Sequence, residues 1–315
     1  MVAAGTDPLR HRPAPAPTRS GSGPGPTECA GYGGAVEDQR EFWNRRAPEW
    51  ERRAAVADAP ADAYGAAAMD ALELRPGSSV LEVGCGVGAA AVELARRVGS
   101  EGRVIGVDVS DEMLAAAGRT VGKAGVRGVE LVRSDVVDGA LDHLQGSLDA
   151  VFSRFGVMFF PEPQAAFDVL AGLLQPGGSM RCVVWGPLES NPWMFVPVLA
   201  AAGVLGAEPE LPPEGAPGPF SLSDAEVATG LLDAAGLVGV GVVPVTGVRL
   251  IPASDPRAEI ETLVAMGPLG DAWAGAEDAA RDAVVDAVVA AMGEYRTDAG
   301  WMLPGSAMVI GGTAP

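Results

Sequence analysis

The sequence has few basic residues. Its 315 residues include 22 Lys and Arg against 41 Asp and Glu, so the formal net charge is −19. Proteins that bind nucleic acid need a basic surface, because they replace the counterions of the phosphate groups. The composition therefore predicts no nucleic-acid partner, and it also disfavours an anionic membrane surface. A solvated acidic surface is the simplest interpretation of the excess.

Cysteine and long apolar runs are scarce as well. The three cysteines, Cys29, Cys85 and Cys182, are too scattered for a disulfide framework or a zinc site, so we expect no metal. No apolar run reaches the roughly eighteen residues that a transmembrane helix needs, and residues 1–34 lack the apolar segment of a signal peptide. We therefore expect a cytoplasmic protein without membrane insertion. Nothing in the sequence decides between a monomer and a homodimer.

Aromatic residues make up only 5% of the chain, whereas 48% of it is hydrophobic. The core must therefore consist mainly of Ala, Val and Leu. Residues 1–34 are rich in Pro, Gly, Ala, Ser and Thr and have little to bury, which predicts a disordered tail.

The strongest local pattern is an aliphatic run followed by three alternate glycines. Ser79–Val83 is short and apolar, as a buried parallel strand should be. Gly84, Gly86 and Gly88 come next, and a helical pattern follows at once. Such a turn needs residues that tolerate positive φ, and it lets a ligand approach the bare backbone. It indicates a nucleotide-type site, although a tight turn without a ligand, or a loose dinucleotide fingerprint ending at Ala89, also fits.

An acidic residue follows at the distance that a nucleotide site requires. Arg103–Asp108 is predicted to be a second strand, and Asp108 comes about twenty residues after the glycines, where a ribose-binding carboxylate belongs. Ser110 then provides an N-cap for a helix. Further strands are predicted at Val129–Arg133, Leu148–Phe152 and Met180–Trp185, Val238–Ile251 and Ala307–Ile310, with helices beginning at Pro163, Ser223, Asp255 and Ala276.

Four segments in order resemble the motif series of class I S-adenosylmethionine-dependent methyltransferases: Val80–Gly88, Gly106–Asp108, Ser134–Asp135 and Leu174–Gly178. The resemblance is closest to the ubiquinone/menaquinone-biosynthesis branch and to small-molecule enzymes of bacterial secondary metabolism, and it covers about Glu37–Trp185. It implies an α/β fold with a doubly wound, Rossmann-like seven-stranded sheet, an N-terminal helical cover and C-terminal insertions. It also implies S-adenosyl-L-methionine as cofactor and a small-molecule acceptor.

The resemblance also implies a set of cofactor-binding residues. Asp108 would accept hydrogen bonds from the ribose, and Asp135 would bind the exocyclic amine of adenine. A helix cap is the alternative role for Asp135, and a core role is the alternative for Met113. The whole set is Glu82, Gly84, Cys85, Gly86, Gly88, Asp108, Val109, Met113, Ser134, Asp135, Val136, Ser153 and Arg154.

Five regions are expected along the chain. They are a disordered tail at 1–34, a helical cover at 35–75, the cofactor-binding core at 76–186, an insertion or substrate lid at 187–222, and the C-terminal part of the core with a helical insertion at 223–315. The lid is expected because a Pro- and Gly-rich connection of this length is too long for a simple loop.

The cover is predicted to be helical with breaks near Pro48 and Pro60. Its aromatic residues Phe42, Trp43 and Trp50 can share one helical face. They either close over the cofactor or only dock the segment on the sheet. The predicted substrate-binding residues are Trp43, Trp50, Tyr64, Phe155, Met158, Trp185 and Trp193.

No conspicuous catalytic dyad is present. His143 is the candidate general base, although a surface histidine is the more common interpretation of its polar surroundings. The apolar wall predicts an uncharged or weakly polar, hydrophobic acceptor that is methylated through proximity and desolvation. Two other functions remain open: an NAD-dependent oxidoreductase, for which no Tyr/Lys or His proton relay is visible, and a cofactor-binding homologue that has lost methyl transfer.

Overall fold

One mixed sheet organises the molecule. The computed structural model describes residues 39–54, 59–209 and 216–315; the predicted tail at 1–34 lies outside these ranges. Within them the strands are β1 Ser79–Val83, β2 Arg103–Asp108, β3 Val129–Arg133, β4 Leu148–Arg154, β5 Leu174–Trp185, β6 Val238–Pro252, β7 Arg296–Thr297 and β8 Gly300–Thr313. Their order is β3-β2-β1-β4-β5-β8-β6, and the two-residue β7 pairs with β8.

The first five strands run parallel, and β8 is antiparallel to both β5 and β6. Val83 pairs with Val107 of β2 and with Ser153 of β4, so three strands end side by side. The loops that follow these strands must therefore meet at one edge of the sheet. The predicted doubly wound sheet is confirmed, with seven strands along its main path.

Helices cover both faces of the sheet. They are α1 Gln39–Ala54, α2 Ala59–Ala71, α3 Ala89–Val98, α4 Asp111–Ala124, α5 Pro163–Leu173, α6 Pro192–Leu205, α7 Ala225–Ala234, α8 Pro256–Met266, α9 Gly270–Ala274 and α10 Asp278–Ala291. Side-chain caps start several of them: the Ser110 hydroxyl, for example, accepts from the Met113 N–H at 3.0 Å. None of the helices in the described ranges is long and apolar enough to cross a bilayer.

Alternating side chains of the parallel strands form two apolar layers. Leu81 and Ile105 face one side, where Phe167 of α5 covers them. Val80 and Phe152 face the other side, in a cluster that includes helices α2 and α3. Burying one such side chain contributes roughly 1.5–3 kcal/mol, so these layers fix the register of the strands and hence the positions of the loops at their ends.

The predicted break of the cover near Pro48 is wrong, because α1 continues through this residue. Proline removes a helix hydrogen bond at a cost of about 3 kcal/mol. Contacts with α4 hold α1 on both sides of Pro48: Arg40 pairs with Asp111, and Arg119 pairs with Glu51. Pro60 lies at the second position of α2, where the missing N–H has no partner to lose.

The region predicted as a lid contains a packed helix. Val198 and Ala201 of α6 lie in a third apolar cluster with Val264 of α8 and Val288 of α10. The same cluster includes Trp301 at the start of β8. This region therefore shares its core with the C-terminal helices.

Candidate functional site

A cavity of about 850 Å³ opens at the carboxyl ends of the parallel strands. It extends from the glycine turn after β1 to α6, β6 and α8. Eleven of the predicted cofactor-binding residues line it: Glu82, Gly84, Cys85, Gly86, Asp108, Val109, Met113, Ser134, Asp135, Val136 and Arg154. So do all the predicted substrate-binding residues: Trp43, Trp50, Tyr64, Phe155, Met158, Trp185 and Trp193.

The three glycines of the turn have different structural roles, although all have positive φ: 67° at Gly84, 51° at Gly86 and 84° at Gly88. A Cβ at Gly84 would lie 2.9 Å from the Cα of Gly156, and one at Gly88 would lie 2.9 Å from the Cα of Ala117. These two glycines allow backbone segments to pack. A Cβ at Gly86 would meet nothing within 4 Å, so this position borders the open cavity. Gly88 precedes α3 and does not line the cavity.

Asp108 joins the glycine turn to the loop that follows β2. Its carboxylate accepts from the N–H of Gly86 at 2.9 Å and from the N–H of Ser110 at 3.0 Å. Burial raises the pKa of Asp108, and the backbone hydrogen bonds only partly oppose this effect. The site thus holds an oriented carboxylate beside the glycine turn.

Glu82 is the deepest acidic group of the site. Its residue is 2% exposed, on β1. Burial raises the pKa of Glu82 to about 8; the charge of Arg154 opposes the rise, and that of Asp108 adds to it. Its Oε2 has no hydrogen-bond partner in the described part of the chain. An orphaned buried oxygen of this kind is costly unless a ligand satisfies it.

The loop after β3 is organised by a residue that the sequence analysis missed. Asp138 accepts from the Ser134 hydroxyl at 3.0 Å and from the Asp135 N–H at 3.1 Å. Between them Val136 is buried at φ 32°, a conformation that a β-branched residue rarely adopts. Such strain persists only where the surroundings enforce it. The acid before Gly139 was the available signal, since Asp-Gly is typical of turns.

Ser153 has a structural role at the edge of the sheet. Its hydroxyl donates to the carbonyl of Val83 at 2.8 Å and accepts from the N–H of Gly156 at 3.3 Å. The side chain thereby joins the ends of β1 and β4. Ser153 is fully buried and is not among the residues that line the cavity.

The far half of the cavity is an aromatic chamber formed by Tyr64, Phe155, Trp185 and Trp193. Phe155 has φ 63° and stacks on Trp185 with ring centres 3.8 Å apart. Tyr64 meets Trp185 edge-on at 5.5 Å, and Trp193 does so at 5.4 Å. The chamber therefore offers flat apolar surfaces next to the half of the cavity lined by the glycine turn and Asp108, which the resemblance assigns to the cofactor and which we call the cofactor half.

Helix α1 forms the roof of the site. The ring of Trp43 meets that of Phe159 edge-on, with ring centres 4.9 Å apart. The ring centre of Trp50, on the same helical face as Trp43, lies 6.5 Å from that of Trp43. Asn44 links this roof to the cofactor half, because its Oδ1 accepts from the Ser110 hydroxyl at 2.7 Å and from the Glu112 N–H at 3.3 Å. Asn44 was not predicted as a site residue, because its partners lie more than sixty residues away in the sequence.

The histidine named as a candidate base lies elsewhere. His143 is exposed, it is outside the cavity lining, and its Nδ1 donates to the carbonyl of Ala140 at 3.1 Å. The structure therefore places no histidine of the described ranges at the site. Those ranges also contain no cluster of three His, Cys, Asp or Glu residues that could hold a metal ion.

Comparison with known proteins identifies the fold and the domain. Residues 80–178 match the family described as "Methyltransferase domain". The chain is 32% identical over 183 residues to the nocamycin O-methyltransferase of Saccharothrix syringae, a match that covers 52% of this chain and 63% of that protein. It is 30% identical over 115 residues to the demethylmenaquinone methyltransferase of Bacillus mycoides, covering 36% and 48% respectively. The chain thus spans about half to two thirds of these relatives.

Solved structures share the fold at low sequence identity. A Haemonchus contortus phosphoethanolamine N-methyltransferase 2 in complex with S-adenosyl-L-methionine has a TM-score of 0.52 at 17% identity, over 89% of this chain and 61% of that one. The [4+2]-cyclase SpnF has a TM-score of 0.50 at 17% identity, over 87% and 95%. Residues 80–178 thus form a class I S-adenosylmethionine-dependent methyltransferase domain.

Proposed function

We propose that the protein transfers the methyl group of S-adenosyl-L-methionine to a small, largely hydrophobic molecule, in secondary metabolism or in quinone-like biosynthesis. The observation that carries this proposal is the continuity of the cavity. One opening joins the glycine turn at Gly86 to the aromatic chamber at Phe155, Trp185 and Trp193. Cofactor and acceptor can therefore meet inside a largely apolar enclosure.

The residues of the cofactor half fit the expected group. Gly86 leaves open space where a side chain would otherwise project, and the orphaned Oε2 of Glu82 calls for a hydrogen-bond partner. Asp108 presents a fixed carboxylate to a ribose. Asp135 and Val136 line the same half of the cavity, where the adenine would lie.

S-adenosyl-L-methionine supplies a methyl group on a sulfonium, whose departing thioether is neutral. The protein then has to hold the acceptor in line and to exclude water, and such positioning can lower a barrier by roughly 7–11 kcal/mol. In this chain the stacked pair of Phe155 and Trp185 would hold a flat acceptor, while Trp43 of α1 would close the opening through its contact with Phe159. A dedicated general base is not part of the proposal.

The curated relatives support a small-molecule acceptor, since their names refer to methylation of nocamycin and demethylmenaquinone. A cofactor-binding protein that no longer transfers methyl groups is the competing function, and a protein named as a [4+2]-cyclase shares the fold. The fold alone does not choose between the two.

The test uses the full chain with methyl-labelled S-adenosylmethionine and a panel of phenols, enols, carboxylic acids and amines. Mass spectrometry then locates the added methyl group. We expect cofactor binding and label transfer to at least one hydrophobic member. Tight cofactor binding without transfer to any acceptor would favour the competing function. Binding of NADH in place of S-adenosylmethionine would contradict both.

A further inference from the structure

Two neighbouring strands leave space for the hydroxyl of Tyr64. Gly247 of β6 pairs with Gly305 of β8 in the sheet register. A Cβ at Gly305 would lie 2.6 Å from the Tyr64 Oη, and a Cβ at Gly247 would overlap the same atom. The paired glycines thus form a slot that admits the end of the ring. Among the described residues no hydrogen bond to this hydroxyl is present.

Two further hydrogen-bond donors lie beside this slot. The Nε1 of Trp193 is 3.3 Å from the Cβ position of Gly305, and in the described ranges it has no hydrogen-bond acceptor. Arg249 lies two residues after Gly247, hence on the same face of β6. Tyr64, Trp193 and Arg249 all line the cavity.

Glu259 balances the charge of Arg249. The two side chains pair at 2.5 Å, and the guanidinium lies 6.0 Å from the ring centre of Trp193. This is the one hydrogen bond that Arg249 makes within the described part of the chain, although a guanidinium carries five N–H groups. The remaining donors are therefore available to a molecule in the chamber.

We propose that Tyr64, Trp193 and Arg249 form a row of donors that binds carbonyl-type oxygens of the methyl acceptor. This inference rests on the proposed function and adds a substrate class: flat, mostly apolar molecules that carry more than one hydrogen-bond-accepting oxygen. Trp and Arg side chains can only donate. Burial raises the pKa of Tyr64, so its hydroxyl keeps its proton and can donate as well.

The charge balance of the row favours neutral or delocalised oxygens over a localised carboxylate. Glu259 already neutralises Arg249, so a carboxylate would add an uncompensated charge to apolar surroundings, at a cost. A ketone, a quinone or a vinylogous acid accepts the same hydrogen bonds with little or no localised charge. The three donors should therefore select methyl acceptors by the number and placement of the accepting oxygens on an apolar molecule.

The test compares three probes that share one bicyclic frame: indane, 1-indanone and 1,3-indandione, which have none, one and two carbonyl oxygens. Binding to the full chain is measured by NMR titration with saturating S-adenosylhomocysteine. We expect each added carbonyl to tighten binding about two- to tenfold, as one net hydrogen bond does. Equal affinity of the parent for all three probes would overturn the proposal.

Variants test whether these three donors cause the gain in affinity with each added carbonyl. Tyr64→Phe removes one donor and keeps the ring, and Trp193→Phe removes the indole N–H and leaves a smaller aromatic ring. The double variant Arg249→Met with Glu259→Gln removes the pair without leaving a buried carboxylate. Each should reduce the gain in affinity per carbonyl, measured relative to the affinity of the same variant for indane. Tyr295→Phe and Arg257→Met with Glu261→Gln are matched controls outside the cavity.

The affinity for S-adenosylhomocysteine is measured first. It distinguishes a failure of the proposed function from a failure of the donor row alone. If the parent does not bind it, the proposed function fails. If the parent binds it and the variants keep the parent's gain per carbonyl, only the donor row is wrong.

Discussion

The carboxylate of Asp108 accepts a hydrogen bond from the backbone N–H of Gly86 at 2.9 Å. This bond fixes the middle of the glycine turn to the end of the neighbouring strand. It also explains how Gly86 is held at positive φ while its free side faces the cavity. The turn and the acidic residue therefore act as one unit, and changes to either should affect the cofactor.

Gly86→Ala should lower the affinity for S-adenosylhomocysteine at least tenfold, because the new methyl group enters the open space of the site. Positive φ alone costs an alanine about 1–2 kcal/mol of stability. Gly146→Ala is the matched control, since Gly146 has φ 62°, open space around it and a position outside the cavity. Calorimetry should show similar melting temperatures for the two variants but weakened binding only for Gly86→Ala. Unchanged binding would remove Gly86 from the site.

Asp108→Asn should weaken S-adenosylhomocysteine about ten- to a hundredfold. The amide keeps one accepting oxygen but loses the charge, and charged hydrogen bonds contribute roughly 1.5–3 kcal/mol each. Asp149→Asn is the control, because Asp149 also accepts a backbone N–H, that of Ser79 at 2.7 Å, away from the cavity. Calorimetric titration of both variants would measure the difference. Equal losses would mean that Asp108 acts only through folding.

Glu82 should make the stability of the unliganded protein depend on pH. Its pKa is raised to about 8 in the folded chain, against roughly 4.3 when unfolded. Between these values the folded state binds the extra proton. The contribution of Glu82 to the free energy of unfolding should therefore be complete below about pH 4 and fall as the pH rises towards 8, by at most about 1.4 kcal/mol per pH unit.

Glu82→Gln should flatten this pH dependence, because the amide does not titrate. Urea unfolding from pH 5 to 8 measures the effect, with Glu130→Gln as an exposed control on the neighbouring β3. A parent that became more stable over this range, with Glu82→Gln removing the gain, would show that Glu82 is ionised in the folded chain.

The roof formed by α1 should respond to the cofactor. Hydrogen exchange of residues 39–54 should slow when S-adenosylmethionine binds, and Asn44→Ala should speed exchange about fivefold in the free protein by removing its bonds to α4. Glu49→Gln, which loses only a pair with Arg52 on the same helix, should change little. Identical exchange with and without ligand would leave α1 with a packing role alone.

His143→Ala should lower the single-turnover rate of methyl transfer by less than tenfold, since the side chain lies outside the cavity. A general base contributes about 10²–10⁴-fold. Rapid-quench measurement with saturating ligands makes the comparison. A loss of a hundredfold or more would restore His143 as the base.

The sequence predicted the parallel strands well, since each is an aliphatic run bounded by turn residues. The predicted ranges of β1, β2 and β3 coincide with those in the structure. The last strand was underestimated, because β8 extends over Gly300–Thr313 and includes Pro304 and several glycines. Its length comes from pairing with β6, about fifty residues earlier, and local patterns carry no information about such pairing.

The candidate site likewise has one part that the sequence predicted and another part that it did not. The residues of the cofactor half could be predicted because they lie at the ends of successive strands, which can be recognised one after another along the sequence. Arg249 and Asn44 were missed because their importance depends on distant partners, Trp193 and Ser110. Tyr64 and Trp193 were named as separate aromatics, and only the slot between Gly247 and Gly305 shows why they belong together.

The aromatic chamber has a consequence for how such a protein changes its substrate. Much of its wall comes from α2, α6 and β6, which lie outside the matched residues 80–178. If the proposed function holds, exchanging these outer segments, or the few side chains on β6 that face the chamber, should alter the acceptor and leave the glycine turn intact. On this proposal most of the acceptor wall and the glycine turn come from different stretches of the chain, so a change of acceptor would not require a change of the turn.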